Sequence, residues 1–238
     1  MKTHYITILF AAAILFAAAR MITAADHASL ETVSPAESLS RLKEGNERFV
    51  RHQPTHPDQS KERVGALANS QHPFAVVLSC SDSRVPPEVV FDQGLGDLFI
   101  VRVAGNTLND AVLGSVEYAV EHLGSRLVLV MGHEKCGAVQ AAMSGHQEGG
   151  HIPSIVKAIE PIVKEARSQP GDPVHNAVAL NARSVAGHLR DSALLNKRVA
   201  AGTVEVISAV YNLESGTVQF DSGGGPVGNI GSATKPKT

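Results

Sequence analysis

Two short apolar runs, Phe74-Ala-Val-Val-Leu-Ser79 and Arg126-Leu-Val-Leu-Val-Met-Gly132, set the frame for this chain. Runs of four to six aliphatic and β-branched residues that end in polar or glycine positions read as buried strands. The first leads into Cys80-Ser-Asp82-Ser-Arg84 and the second into His133-Glu-Lys-Cys136. Laid side by side and parallel, the two strands deliver both motifs to one carboxyl edge, where open α/β sheets build their sites. Two thiols, an imidazole, a carboxylate and a guanidinium then converge, and Cys80, His133 and Cys136 make a Cys2His zinc set.

The rest of the chain alternates between helical and extended patterns. Ser34-Pro35-Ala-Glu37 is a helix start, with Ser34 as N-cap and Glu37 closing a capping box, and Leu39, Leu42, Asn46 and Phe49 carry the helix to about Val50. Residues 51–60, rich in His, Pro and Gln, read as a loop with solvated histidines, followed by a short helix around Glu62–Ala68. Val85-Pro-Pro87 ends the Cys80 turn, Glu88–Phe91 makes one helical turn, and Leu98–Val103 is the second strand, broken by Gly105-Asn106. Residues 108–123 form a helix with Val112, Val116, Ala119, Val120 and Leu123 on one face, stopped by Gly124. The third strand covers 126–131, with His133 following it. Cys136 then opens a helix to about Met143, and 153–168 is amphipathic with Ile155, Ile159, Ile162 and Val163 inward. A long helix spans about 175–193. Thr203–Tyr211 alternates as a strand, and Glu214-Ser-Gly216 turns it back into Thr217–Phe220, a terminal hairpin. This alternation predicts one α/β domain over residues 26–222, with a central, mostly parallel sheet flanked by helices, an N-terminal helical arm and a C-terminal β-hairpin.

With 238 residues, 43% of them hydrophobic, the chain can bury one ordinary core. Its net charge of -2 gives no electrostatic case for nucleic acid or an anionic membrane, and favours a small-molecule substrate. Residues 1–25 read as a signal peptide: Lys2 and His4 begin it, Ile6 to Ala19 is apolar, and Thr23-Ala-Ala25 offers small residues for cleavage. The apolar run falls short of the roughly twenty residues of a membrane span, so no stable insertion is expected once the leader is removed. The expected location is the periplasm. Residues 223–238, rich in Gly, Pro, Ser and Lys, are expected to be a disordered tail.

An exported chain with two cysteines is by default assigned one disulfide. That reading excludes the zinc reading, because thiolates about 2.3 Å from a tetrahedral ion sit too far apart for an S–S bond of about 2.05 Å. The neighbouring residues bear on the choice. His133 and Cys136 put two ligands on one turn, and Cys80 from another strand completes the three protein ligands of a catalytic zinc with one open position. A lone H-x-x-C occurs by chance, but paired with C-x-D-x-R after another strand it carries more weight. Water in the open position would have its pKa lowered from 15.7 towards roughly 7. Two thiolates cancel the ion's formal charge and weaken this effect, so activity is expected to climb with pH above neutrality. Asp82 can bind the metal and close the site, or it can pair with the planar fork of Arg84 and accept a hydrogen bond at the open position.

C-S-D-S-R after one strand and G-H-E-K-C-G-A after another resemble the β-class carbonic anhydrases. The likeness runs from the Leu39–Phe49 helix to the terminal hairpin, through Gln71-x-Pro73, Arg102-x-Ala-Gly-Asn106 and Glu117-Tyr118. It implies one Zn2+ per subunit on Cys80, His133 and Cys136, with hydroxide attacking carbon dioxide to give bicarbonate. It implies Asp82 and Arg84 as the catalytic dyad that gates the site, and Asp82 as a possible fourth ligand in a closed state. Gln71 would donate to a substrate oxygen, as would the backbone N–H of Gly137. Phe99 and Tyr118, which from the residues alone are plain core, would line a narrow apolar cleft formed where two subunits meet, in a homodimer or larger homo-oligomer. Having Gln71 and no tryptophan favours the always-open subtype over the one inhibited by bicarbonate at a second site. His122, His146 and His151 are candidate proton shuttles. Two alternatives stand beside this reading. In one, the same fold and metal serve carbon disulfide or carbonyl sulfide hydrolysis; in the other, the chain is a non-catalytic exported binding protein with a Cys80–Cys136 disulfide.

Overall fold

A computed structural model describes residues 33–145 and 149–221 of the chain; the leader at 1–25, His146 and the tail at 223–238 lie outside the described residues. Ser34 accepts a hydrogen bond from the Glu37 N–H at 3.2 Å and Pro35 sits in the first turn, so α1 (Pro35–Val50) begins where its capping residues dictate. α2 (Lys61–Ala66) starts on a Ser60 cap and leads to β1 (Ala75–Ser79), buried along its whole length. The order continues α3 (Pro87–Val90), β2 (Leu98–Arg102), a single 3₁₀ turn (Ala104–Asn106), α4 (Asp110–His122), β3 (Leu127–His133), α5 (Gly137–Ser144) and α6 (Ile152–Ser168). α7 (Pro173–Asp191), α8 (Ala193–Ala200), β4 (Glu205–Tyr211) and β5 (Val218–Asp221) complete it.

The five strands lie in the order β2-β1-β3-β4-β5, the first four parallel and β5 antiparallel on β4. This is the mostly parallel sheet with a terminal hairpin that the alternation predicts. Successive residues of β1 feed opposite faces: Ala75 and Val77 pack with Leu42 of α1, Val139 of α5 and Ile159 of α6, while Val76 and Leu78 pack with Val116 of α4 and Val185 of α7. With both faces covered, β1 and β3 are buried along their whole length, which is why they read as continuous apolar runs rather than alternating ones. β2 and β3 leave β1 on opposite sides, so the chain reverses direction between β1 and β3. The crevice at the carboxyl ends of those two strands is the switch point where such sheets bind ligands.

The structure departs from the sequence reading at two boundaries. β3 runs on through His133, in register with β4 from Leu127↔Glu205 to His133↔Tyr211, so the imidazole is carried by a strand end and not by the loop after it. The long helix stops at Asp191. Ser192 is extended (φ -61, ψ 142), and its hydroxyl accepts from the Leu195 N–H to cap the separate α8, a helix the sequence reading did not contain.

The loop over residues 51–60 is tied down by Asp92. Its buried carboxylate accepts from Arg48 Nε at 2.6 Å, from Thr55 N and Oγ1 at 2.9 Å each, and from His56 N at 2.9 Å. Burial alone would push this carboxyl up, but the Thr55, Arg48 and His56 bonds outweigh it and bring its pKa down to about 2. The group therefore contributes stability that is present above the ordinary carboxylate range and is lost as pH falls towards its folded value. Asp92→Ala leaves the Thr55 and His56 N–H groups and Nε of the half-buried Arg48 without their acceptor, and is expected to lower unfolding stability by about 2 kcal/mol in urea titrations. Among the described residues no helix is long and apolar enough to cross a membrane.

Candidate metal centre

Cys80 follows β1, His133 closes β3 and Cys136 is the N-cap of α5. Because β1 and β3 are parallel neighbours with Ser79 opposite Met131, all three residues reach the same point of the crevice. Lys135, in the left-handed region at φ 54, turns the chain between the second and third of them. Their ligand atoms all lie within 4.8 Å of one another, and all three residues are buried. Both cysteines are free, which removes the disulfide on which the binding-protein alternative rests.

The donor set fits a tetrahedral metal ion. Bonds of about 2.3 Å to sulfur and 2.1 Å to nitrogen require donors roughly 3.5 to 3.8 Å apart, inside the 4.8 Å that bounds the three atoms here. His133 Nδ1 lies 2.9 Å from the Glu134 carbonyl oxygen, and an N–H donated there leaves Nε2 as a lone-pair acceptor. That Nε2 is buried with no hydrogen-bond partner. Asp82 Oδ2 approaches it only to 3.8 Å. An orphaned buried acceptor is costly unless something occupies it, and the two adjacent sulfurs specify a soft divalent cation as the occupant.

The sulfurs share one proton between them. The Cys136 thiol donates to Cys80 and, with the N–H groups of Asp82 and Gly105, brings the Cys80 pKa well below the usual thiol range against the opposing effect of burial. The thiolate so formed, together with burial, pushes Cys136 well up. A bound cation would displace that last proton.

Asp82 and Arg84 form the pair expected of them. Arg84 donates from Nε to Oδ1 at 2.9 Å, from Nη2 to Oδ2 at 2.7 Å, and from its backbone N to Oδ1 at 3.0 Å. These bonds hold the Asp82 carboxyl well below the usual carboxylate range. A residue that the sequence reading noted without a role, Arg102 at the end of β2, clamps the same loop. It donates from Nε to the Cys80 carbonyl at 3.0 Å and from Nη2 to the Asp82 carbonyl at 2.6 Å.

The cleft candidates lie elsewhere. Gln71 is exposed and precedes β1, so it sits at the amino edge of the sheet, a five-residue strand away from Cys80; strand rise alone makes that about 16 Å. Phe99 is in register with Val76 and packs on the sheet face opposite the Cys80 cluster. Tyr118 is 50% exposed, with its ring 5.0 Å from that of His122. Gly137 opens α5, where a helix leaves its first N–H groups without an internal partner. His151 is exposed at the start of α6.

His175 of α7 was not anticipated. Its Nδ1 lies 2.5 Å from Glu134 Oε1, and that carboxylate raises the His175 pKa above its ordinary value. The pair's contribution to stability is fully present below the unfolded histidine pKa of about 6.5 and is lost as pH rises through the higher folded value. The thermal midpoint of the wild type is therefore expected to fall relative to His175→Gln as pH is raised from about 6 to about 9 in parallel melts.

The carbonic anhydrase family model matches residues 75–218, from β1 into β5, and so takes in every ligand-bearing element described above. A carbonic anhydrase of Mycolicibacterium smegmatis is 40% identical over 202 residues, covering 83% of this chain and 98% of that protein. Carbonic anhydrase 2 of Mycobacterium tuberculosis is 40% identical over 215 residues, covering 85% and 99%. Among solved structures, a β-carbonic anhydrase of Aspergillus fumigatus superposes with a TM-score of 0.62 at 27% identity, covering 80% of this chain and 92% of that one. A tetrameric β-carbonic anhydrase of Sordaria macrospora has a TM-score of 0.62 at 23% identity, covering 78% and 94%, a likeness of fold.

Proposed function

The chain belongs to the β-class carbonic anhydrases, and we propose that it interconverts carbon dioxide and bicarbonate at one Zn2+ per subunit held by Cys80, His133 and Cys136. The observation that carries this reading is the buried trio itself, with free thiols and an unpartnered Nε2 at the switch point of the sheet. Three protein ligands leave a fourth position open, the arrangement of a catalytic rather than a structural zinc. When bound, zinc would lower the pKa of water and supply hydroxide as the nucleophile for carbon dioxide.

The chain's own groups then do the positioning. Asp82, kept ionised by Arg84, places an acceptor beside the open position and orients a water hydrogen there. The two guanidinium bonds also keep the carboxylate from turning onto the metal and closing the site. Gly137 offers a backbone donor at the start of α5. Gln71 precedes β1 and Phe99 stands near the start of β2, so this reading has a second subunit bring its copies of them, and of Tyr118, over the carboxyl edge. We therefore take the working form as a homodimer or larger assembly, in which Gln71 donates to a substrate oxygen and Phe99 and Tyr118 supply apolar walls. The segment 1–25 is read as a leader that exports the enzyme to the periplasm, a reading supported by its basic start, apolar stretch and small residues.

Stopped-flow hydration of carbon dioxide, run on protein whose zinc has been quantified, tests the proposal. Near-stoichiometric zinc and a rate that climbs from neutral to alkaline pH are expected. Zinc-loaded protein without hydration, or a flat pH–rate profile, would refute it.

A further inference from the structure

One support of the Cys80 ligand traces back to a helix a hundred residues further along the chain. Gly105 N–H donates to Cys80 Sγ at 3.3 Å. Gly105 is buried in the 3₁₀ turn after β2 at φ 68, ψ 17, a conformation that a residue with a side chain rarely adopts. A Cβ there would fall 2.8 Å from Ile159 Cδ1 and 3.0 Å from Ala138 Cβ, so the turn is pressed against α5 and α6. Packing limits the space around Gly105 but does not choose the direction of its peptides, since glycine has the widest backbone freedom of any residue. That choice falls to Asn181 of α7. Its side chain is buried and its Nδ2 donates to the Gly105 carbonyl at 2.8 Å.

We propose that Asn181 is a positioning residue of the metal centre: by holding the Gly105 carbonyl it keeps the Gly105 N–H on Cys80 Sγ, and so sets how much charge that thiolate donates to the ion. The proposal rests on the zinc reading above. An N–H bond to a thiolate lowers its proton affinity and fixes its direction, so that it stays free for the ion, and loss of such outer partners typically weakens metal binding 10- to 100-fold. The same helix carries an internal control. Asn176 is also a buried amide, but its Nδ2 spreads over the Ala166, Gln169 and Pro170 carbonyls at 3.4, 3.4 and 3.2 Å, at the end of α6 and away from the ligands.

Zinc affinity of the full chain is measured by competition with a chromophoric chelator, and the thiolate-to-metal charge-transfer band is recorded after cobalt substitution, for wild type, Asn181→Ala and Asn176→Ala. Asn181→Ala is expected to weaken zinc about tenfold and to shift the cobalt band. Asn176→Ala is expected to lower the thermal midpoint with neither change. Wild-type affinity and an unshifted band in Asn181→Ala, or equal effects in both variants, overturn the proposal. Asn181→Ser, whose hydroxyl is too short to reach the Gly105 carbonyl, gives the same readouts if the alanine variant does not fold. Failure of both to fold also overturns the proposal, by making Asn181 a requirement of the core. Wild-type protein that takes up no zinc sinks the functional reading itself, a result that cannot be confused with the others.

Discussion

His133→Ala is expected to empty the metal centre and abolish carbon dioxide hydration while the fold survives. The histidine supplies the one nitrogen donor of the trio, and its Nδ1 is already engaged with the Glu134 carbonyl, so Nε2 has no other task. Loss of a partner that merely orients a ligand weakens metal binding 10- to 100-fold, so loss of the ligand itself should weaken zinc by more than about a hundredfold. The fold should tolerate the change because β3 pairs with β4 through backbone groups that alanine retains, including the His133↔Tyr211 position. The side chain is 1% exposed, and the hole it leaves costs roughly 2–3 kcal/mol, a core-truncation penalty that a domain of this size can absorb. Zinc content after dialysis, read beside stopped-flow rates and far-ultraviolet circular dichroism, checks the prediction. Full zinc occupancy in the variant would remove His133 from the ligand set.

The parts of this site that could be read in the sequence are those written locally. Cys80, Asp82 and Arg84 fall within five residues of one another, His133 and Cys136 within four, and each group follows an apolar run that can only be a buried strand. The parallel placement of β1 and β3 followed from helices lying between strands, and it brings the two groups together. What stayed hidden is carried by pairing across the sheet and by helices distant in sequence. Arg102 and Gly105 stand in a stretch that was noticed, yet their bonds to Cys80 exist only because β2 lies beside β1 with Arg102 opposite Ser79. His175 and Asn181 belong to a helix whose pattern reports its apolar face and nothing about polar partners. The end of β3 was misjudged because Gly132 looks like a strand terminator. Its missing side chain instead makes room for α7, with Val178 Cγ1 3.0 Å from where a Cβ would stand. α8 escapes the sequence reading because that reading ends the long helix at about 193, past the Ser192 cap that starts the new one, and gives the residues up to Thr203 no element.

Arg84→Ala is expected to keep zinc bound and lower carbon dioxide hydration by about 10² to 10³, the loss typical when a preorganised charge-positioning group is removed. Arg84 is not among the candidate ligands, and its side chain is about half exposed, so neither metal uptake nor folding should suffer. The effect comes through Asp82. The substitution deletes both guanidinium bonds and leaves only the backbone N–H at 3.0 Å to hold the carboxylate. Oδ2 already stands 3.8 Å from His133 Nε2, so a small side-chain rotation brings an anionic oxygen to the open position beside a divalent cation. That one remaining N–H bond would not outweigh the attraction, and the site would close with Asp82 as fourth ligand. Arg84→Lys should recover only part of the activity, since an ammonium cannot match both carboxylate oxygens as the planar fork does. The double variant Asp82→Ala with Arg84→Ala separates closure from simple loss of charge: if Asp82 is what shuts the site, the double variant must bind zinc less tightly than Arg84→Ala alone. Unaltered turnover in Arg84→Ala, or zinc lost from it, would discard the gating role of the pair.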